Sequence, residues 1–442
     1  MEVFVVGVFV LGYLAITLEH PLKIDKLGPA LIMMALTWAG IALAMGEVTG
    51  WLDFSTNAMV PDFAELGHET KLDILEATLL HHFGEICEIL VFLLGAMTIV
   101  EIIDQFQGFS TIHKIVKTTS KRKLLWIMAA LAFMLSAIID NLTATIVLIT
   151  LLRKLIDSRH DRLWFAGLII IAANAGGAWS PIGDVTTTML WVGDKVTTSK
   201  LIFNLFLPSL ICMVVPTVVA SYLPAFRGSF KPTGHKEQEG ARGMVMLVLG
   251  LGMIIFVPIF KTVTHLPPYV GMMFSLAVVS LAAEFFSHQK CRMPSNPTHK
   301  AMGRIELPSI LFFLGILMTV SALESLGLIL DFGQTVRAVV PDTVFILLLG
   351  IASAVIDNIP LVAASMGMFD VGTDDGIWHF IAYTAGTGGS MLIIGSAAGV
   401  VAMGMERISF GWYLKNISLL ALTGYGSGSL TYLALTQLTT GL

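Results

Sequence analysis

The sequence predicts an all-α polytopic membrane protein built from inverted-topology repeats, each carrying one re-entrant helical hairpin and one interrupted transmembrane helix. Three observations carry that expectation. Of the 442 residues, 55% are hydrophobic and 13% charged, and the mean hydropathy of +0.82 lies far from that of soluble domains. A six-residue phrase occurs twice in the middle of apolar stretches, as Ser136-Ala137-Ile138-Ile139-Asp140-Asn141 and as Ser353-Ala354-Val355-Ile356-Asp357-Asn358. When those phrases are taken as hairpin tips, most cationic side chains fall on one side of the membrane.

The repeat reaches beyond the phrase. Phe92-Leu93-Leu94-Gly95 answers Phe312-Phe313-Leu314-Gly315, and Gly176-Gly177 with Gly183 answers Gly388-Gly389 with Gly395. The three correspondences recur in order, at offsets of 220, 217 and 212 residues. Duplicated halves with interrupted helices mark a secondary transporter, which binds its substrate near the bilayer midplane.

Apolar segments long enough to cross run at 2–18, 27–45, 80–104, 163–192, 201–223, 243–260, 270–287, 307–329, 377–404 and 412–438. The first has no basic flank and no small-residue cleavage site, so it reads as a retained helix. The stretches 124–152 and 343–368 carry the Asp-Asn phrases and are expected to be hairpins. Lys114, Lys117, Lys121, Arg122 and Lys123 precede the first, and Arg153, Lys154, Arg159 and Arg162 follow it, which puts both flanks on the cytoplasmic side. Each arm holds about 14 residues, roughly 20 Å of helix, so Asp140 stops within the membrane. The second stretch is flanked by Asp331, Asp342, Asp370, Asp374 and Asp375, with Arg337 the lone cation nearby, and is expected to enter from outside.

With the N-terminus outside and ten crossings, 21 of the 26 Lys and Arg residues fall in inner loops. Only Lys71, Lys195, Lys200, Lys261 and Arg337 fall outside. Both termini are then external, in a bacterial cytoplasmic membrane. The halves are 1–226 and 243–442, joined by a polar cytoplasmic linker at 227–242, and 45–71 forms an acidic outer loop. The net charge of −5 includes no basic block, which argues against nucleic acid as a partner. Cys87, Cys212 and Cys291 lack metal or redox spacing and read as packing residues.

Three acids lie within apolar sequence: Asp140, Asp357 and Asp184. An intramembrane carboxylate costs several kcal/mol at least and is a functional candidate by default. Asn141 and Asn358 read equally well as helix caps. Asp184 closes the stretch from Asn174 through Gly176, Gly177, Ser180, Pro181 and Gly183, poor helix interior residues, so helix 163–192 is expected to unwind there, with Asp184 towards the outer end. Unwound carbonyls, carboxylates and hydroxyls suit a hard cation such as Na⁺. Thr387, Ser390 and Ser396 occupy the equivalent places in the second half. Thr143, Thr145, Ser180 and Ser390 are candidate hydroxyl donors that could instead bond their own helices. In segment 80–104, Glu85, Glu88, His81 and His82 are accessory, proton-sensing candidates.

These motifs have a known counterpart. The Asp140-Asn141-Leu142-Thr143-Ala144-Thr145 hairpin, the Gly-Gly…Pro-Ile-Gly break and their second-half partners resemble the ion transporter superfamily that includes divalent-anion/sodium symporters and arsenite pumps. More narrowly, His81-His82-Phe83-Gly84-Glu85-Ile86-Cys87-Glu88 together with the Asp-Asn tips resembles the NhaD-type sodium/proton antiporters. In anion-carrying relatives the tips read Ser-Asn-Thr; here Asp140 and Asp357 stand at the Ser position, which implies a cation. Ile359-Pro360 departs from the Thr-bearing pattern at the second tip.

The resemblance implies exchange of Na⁺, and of Li⁺ as a second cation, for H⁺. Asp140 and Asp357 would hold either the ion or a proton, with no cofactor and no enzymatic step, in a membrane-embedded chain or homodimer. Two alternatives remain at this point: a sodium-coupled symporter of a dicarboxylate or oxyanion, and an intramembrane aspartyl protease, whose Gly-x-Gly-Asp context Gly183-Asp184 matches only in part.

Overall fold

The computed structural model describes residues 1–18, 24–53, 58–110, 118–230, 241–288, 296–356 and 358–440. Asp357, Cys291, Lys23, Lys114, Lys117, Lys231, Lys236, Lys290, Arg292 and most of the 227–242 linker lie outside the described residues. Nineteen α-helices occur among the described residues. The first ten are α1 (Glu2–Thr17), α2 (Leu27–Leu43), α3 (His68–Gln105), α4 (Lys121–Ile139), α5 (Asn141–Leu155), α6 (Arg159–Gly177), α7 (Val185–Val192), α8 (Thr198–Tyr222), α9 (Ala241–Thr264) and α10 (Pro268–His288). The others are α11 (Pro297–Met302), α12 (Leu307–Ser325), α13 (Leu328–Arg337), α14 (Asp342–Ala352), α15 (Asn358–Met368), α16 (Gly376–Gly388), α17 (Ala397–Glu406), α18 (Phe410–Asn416) and α19 (Ser418–Thr440).

All four expected interruptions are present, between α4 and α5, α6 and α7, α14 and α15, and α16 and α17. The ten expected crossings do not all appear as single long helices. By length and composition α3, α4, α8, α9, α10 and α12 can each span alone. In contrast, α1 and α2 have only 16 and 17 residues, and 412–438 divides into α18 and α19. Helix α4, at 19 residues, is longer than the expected hairpin arm because it begins at Lys121 within the basic flank.

The chain divides into two compact units, each drawing on both halves of the sequence. The first comprises Met1–Val91, Glu306–Phe345 and Ile359–Val371. Here α1 packs on α2 and α2 on α12, and Trp38 Nε1 donates to the Met318 carbonyl at 2.8 Å. Gly315 permits that approach, since a Cβ there would lie 2.8 Å from the Ala30 carbonyl carbon. The acidic segment is folded: it carries a short antiparallel ribbon, Leu52–Asp53 with Ala58–Met59. The buried Lys71 ammonium donates to the Val48 and Ala64 carbonyls at 3.1 and 3.4 Å. Between α13 and α14 the chain turns by 120°, and Arg337 Nε and Nη2 donate to the two Asp342 oxygens at 2.8 and 3.1 Å.

The second unit comprises Phe92–Ile305, Ile346–Asn358 and Gly372–Leu442. Lys121 Nζ pairs with Asp161 Oδ2 at 2.7 Å, joining the start of α4 to the start of α6, so α4 and α5 leave and return to the same end. At that end Arg153 and Arg162 reach the Glu406 carboxylate, at the close of α17, at 2.7 and 3.1 Å. At the opposite end Thr197 N and Oγ1 donate to Asp374 at 2.7 and 2.9 Å, joining the loop after α7 to the loop before α16. The pair α6–α7 therefore runs from the Glu406 end to the Asp374 end, and α16–α17 runs the other way. That is the inversion expected from the repeat. Lys195, Lys200 and Lys261 cluster at the Asp374 end, where Lys261 meets Asp194 at 2.8 Å and Lys200 meets Asp374 at 3.7 Å. Three of the five cations expected outside, Lys195, Lys200 and Lys261, thus share one end of this unit, and Lys121, Arg153 and Arg162, expected inside, share the other.

Candidate functional site

Glycines allow a hairpin and a broken helix to dock backbone to backbone in each repeat. A Cβ on Gly176 would meet the Phe133 carbonyl, and one on Gly388 the Gly350 carbonyl. Within the breaks, Gly177 and Gly389 would each place a Cβ 2.5 Å from the carbonyl oxygens of Gly183 and Gly395 respectively. The first residue of the repeated phrase does the same work twice: Ser136 Oγ donates to Ala173 O at 2.6 Å, and Ser353 Oγ to Ala385 O at 3.0 Å. Two glycines per repeat, Gly176 with Gly183 and Gly388 with Gly395, and one serine therefore hold each hairpin against its broken helix, while Gly177 and Gly389 let each break close on itself.

This docking brings both hairpin tips to one carboxylate. Asn141 Nδ2, from the first tip, and Asn358 Nδ2, from the second, each donate to Asp184 Oδ2 at 3.2 Å. Asn141 Nδ2 also lies 2.9 Å from Asn174 Oδ1, and Asn174 Nδ2 donates to Ser396 Oγ at 3.0 Å. All five residues are buried; Asp184 is 3% exposed and Asn174 0%. Asp184 also caps α7, accepting from Thr186 N at 3.3 Å, and a Cβ on Gly386 of α16 would stand 3.5 Å from its Oδ2. The sequence boundaries set Asp184 towards the outer end, but the following half-helix of eight residues leaves it some 12 Å inside.

Of the other predicted site residues, Asp140 caps α5 and is half-buried. Its Oδ1 accepts from Thr143 N at 2.7 Å and its Oδ2 from Thr143 Oγ1 at 2.9 Å. The Ser180 hydroxyl donates to Ala137 O at 2.5 Å and the Ser390 hydroxyl to Thr387 O at 2.7 Å, so both bond backbone. His81 and His82 lie in the first unit with Glu85 and Glu88. His81 Nε2 and His82 Nδ1 stand 3.3 and 3.8 Å from Glu85, and the buried His82 faces Ser325 Oγ at 3.4 Å.

A family model described as citrate transporter (CitMHS) matches residues 13–386. Sodium/proton antiporter 1 of Arabidopsis thaliana is 40% identical over 437 residues, covering 97% of this chain and 72% of that protein. The Na⁺/H⁺ antiporter NhaD of Vibrio parahaemolyticus is 35% identical over 386 residues, covering 80% of this chain and 91% of its own. The chain belongs to the NhaD-type transporter family. The crystal structure of the Alcanivorax borkumensis YdaH transporter, described as having an unusual topology, aligns with a TM-score of 0.60 at 14% identity over 93% of this chain and 98% of that one.

Sequence reasoning missed one participant in this site, Thr186, and one ion-pair partner at the end of the unit, Glu406. Thr186 contributes its backbone N–H to Asp184, and its hydroxyl is buried without a hydrogen-bond partner among the described residues. Its signal was readable: three threonines, 186–188, follow the acid after one intervening residue in the first turn of a half-helix. Glu406 was also missed, because its partners Arg153 and Arg162 lie more than 240 residues away.

Proposed function

We propose that this chain is a secondary antiporter exchanging Na⁺, and the smaller Li⁺, for H⁺, with Asp184 as the group for which cation and proton compete. The convergence of both hairpin amides on Asp184 Oδ2 carries the reading. The relatives named as sodium/proton antiporters support it. A buried carboxylate demands neutralisation, which either a bound proton or a bound cation supplies. Because one excludes the other at a single carboxylate, release of the first accompanies capture of the second. The amides of Asn141, Asn174 and Asn358 and the hydroxyls of Ser396 and Thr186 offer the neutral oxygen donors that a hard cation takes.

Asp140 and Asp357, the hairpin acids, hold further protons or ions, and the His81, His82, Glu85 and Glu88 group adjusts activity with pH. The repeats correspond to residues 1–226 and 243–442, and the Glu406 end of the second unit faces the cytoplasm, with both termini outside a bacterial cytoplasmic membrane. Single cysteines at Lys121 and Arg159, in a cysteine-free background, are expected to be labelled from the same, cytoplasmic side; external labelling of either would reverse the orientation.

The deciding experiment is a pH-gradient assay in sealed vesicles containing the purified protein. Adding Na⁺ or Li⁺ should collapse an imposed gradient, and K⁺ should act less strongly. Proton movement independent of added cation, combined with Na⁺-driven uptake of a labelled dicarboxylate, would replace antiport with symport.

A further inference from the structure

At the Glu406 end of the second unit some cations meet carboxylates and others do not. Lys121, Arg153 and Arg162 pair with Asp161 and Glu406. Arg122, Lys123 and Arg227 are exposed and have no carboxylate partner among the described residues. They are nevertheless held together. Residues 119–121 and 228–230 run alongside one another, with Lys121 N donating to Gly228 O at 3.1 Å and Phe230 N to Thr119 O at 2.9 Å. Arg227 Nη2 donates to the Tyr222 carbonyl at 3.1 Å, and the Arg122 guanidinium lies 5.9 Å over the Tyr222 ring.

Below this cationic group two apolar stripes descend. On α4, Arg122, Trp126, Ala130 and Met134 recur every fourth residue and all are exposed. On α8, Val218 and Tyr222 do the same. The two helices are neighbours, with the Phe133 and Phe206 rings 6.1 Å apart. An aromatic residue on each stripe, Trp126 or Tyr222, stands next to the cations, the arrangement that amphipathic rings adopt at a membrane interface.

We infer that Arg122, Lys123 and Arg227 form a binding site for the headgroup of an anionic phospholipid whose acyl chains lie along the exposed stripes of α4 and α8. A soluble anion would be satisfied by the cations alone. Continuity between a cationic cap and an apolar stripe selects an amphiphile, and the charge selects an anionic one. The site rests on the chain being an integral membrane protein and not on ion exchange, so failure of the transport assay leaves it standing.

The test uses the full-length protein in phosphatidylcholine bilayers containing a minority of phosphatidylglycerol, with retained lipid identified by native mass spectrometry after gentle detergent extraction. Wild type should retain phosphatidylglycerol in preference to phosphatidylcholine. Each cation near an anionic surface contributes about fivefold, so R122Q/K123Q/R227Q should weaken retention on the order of a hundredfold. Should the triple variant fold poorly, Lys123→Gln alone, at an exposed side chain, should weaken it about fivefold. Unchanged retention in the folded variant, or displacement of the lipid by glycerol phosphate as effective as displacement by phosphatidylglycerol, would overturn the inference.

Discussion

The two repeats share a backbone and differ in chemistry. In each, a glycine pair opens the break, a later glycine closes it, and a serine ties the hairpin to the broken helix. Yet the break of the first repeat ends in Asp184 and that of the second in Ser396, and each caps its half-helix, through Thr186 N and Gly399 N respectively. The tips differ as well. Thr143 gives Asp140 both an N–H and a hydroxyl, whereas the second repeat has Pro360 at that place, which offers neither. The close-packed glycines and serine recur in both repeats, whereas the cap that ends each break differs, a buried carboxylate at Asp184 in the first and a neutral hydroxyl at Ser396 in the second.

The comparison can be broken most severely at Asp184. Asp184→Asn keeps shape and cap but removes the charge on which both tips converge. Loss of charge-assisted hydrogen bonds of about 2–3 kcal/mol predicts a roughly 30- to 150-fold fall in apparent Na⁺ affinity, read from Na⁺ titrations of proton release. Wild-type affinity would reduce Asp184 to a cap and make the repeats chemically equivalent.

The shared scaffold is the next target. Gly176→Ala and Gly388→Ala each drive a methyl into a carbonyl of the docked hairpin, and overpacking of this kind costs about 1–3 kcal/mol. Thermal denaturation in detergent should register similar losses for both, because the geometry is the same twice. A loss confined to one repeat would mean that only that hairpin is rigidly docked.

Two smaller substitutions sharpen the difference. Thr143→Ala removes a cap donor that the second repeat lacks, and should lower stability by about 1 kcal/mol. Its Na⁺ affinity should stay close to wild type, since its bonds close on Asp140 and not on Asp184. Ser396→Ala withdraws the acceptor of Asn174, a buried hydrogen bond of about 0.5–1.5 kcal/mol, together with the cap of α17, and should weaken Na⁺ about two- to tenfold while lowering the melting temperature of the isolated protein. Larger weakening than in Asp184→Asn would shift the centre of the site to the second repeat.

The sequence by itself determined the membrane class, the repeat and the positions of all four breaks. Those properties are local: Gly176, Gly177, Pro181 and Gly183 disfavour helix wherever they stand, and an Asp-Asn pair stops an apolar helix without help from any distant residue. Cation counting also anticipated which residues share an end, because insertion reads each loop separately. Only the tertiary structure decided that Asp184, placed near the outer end by its sequence, lies between the two hairpin tips. It likewise decided that Ser180 and Ser390 bond backbone while Asn174 and Ser396 bond each other across 222 residues. The physical reason is that a helix break shows where a polar group leaves its own helix, whereas its partner is chosen by the docking of segments far apart in the chain, and no local propensity encodes that choice.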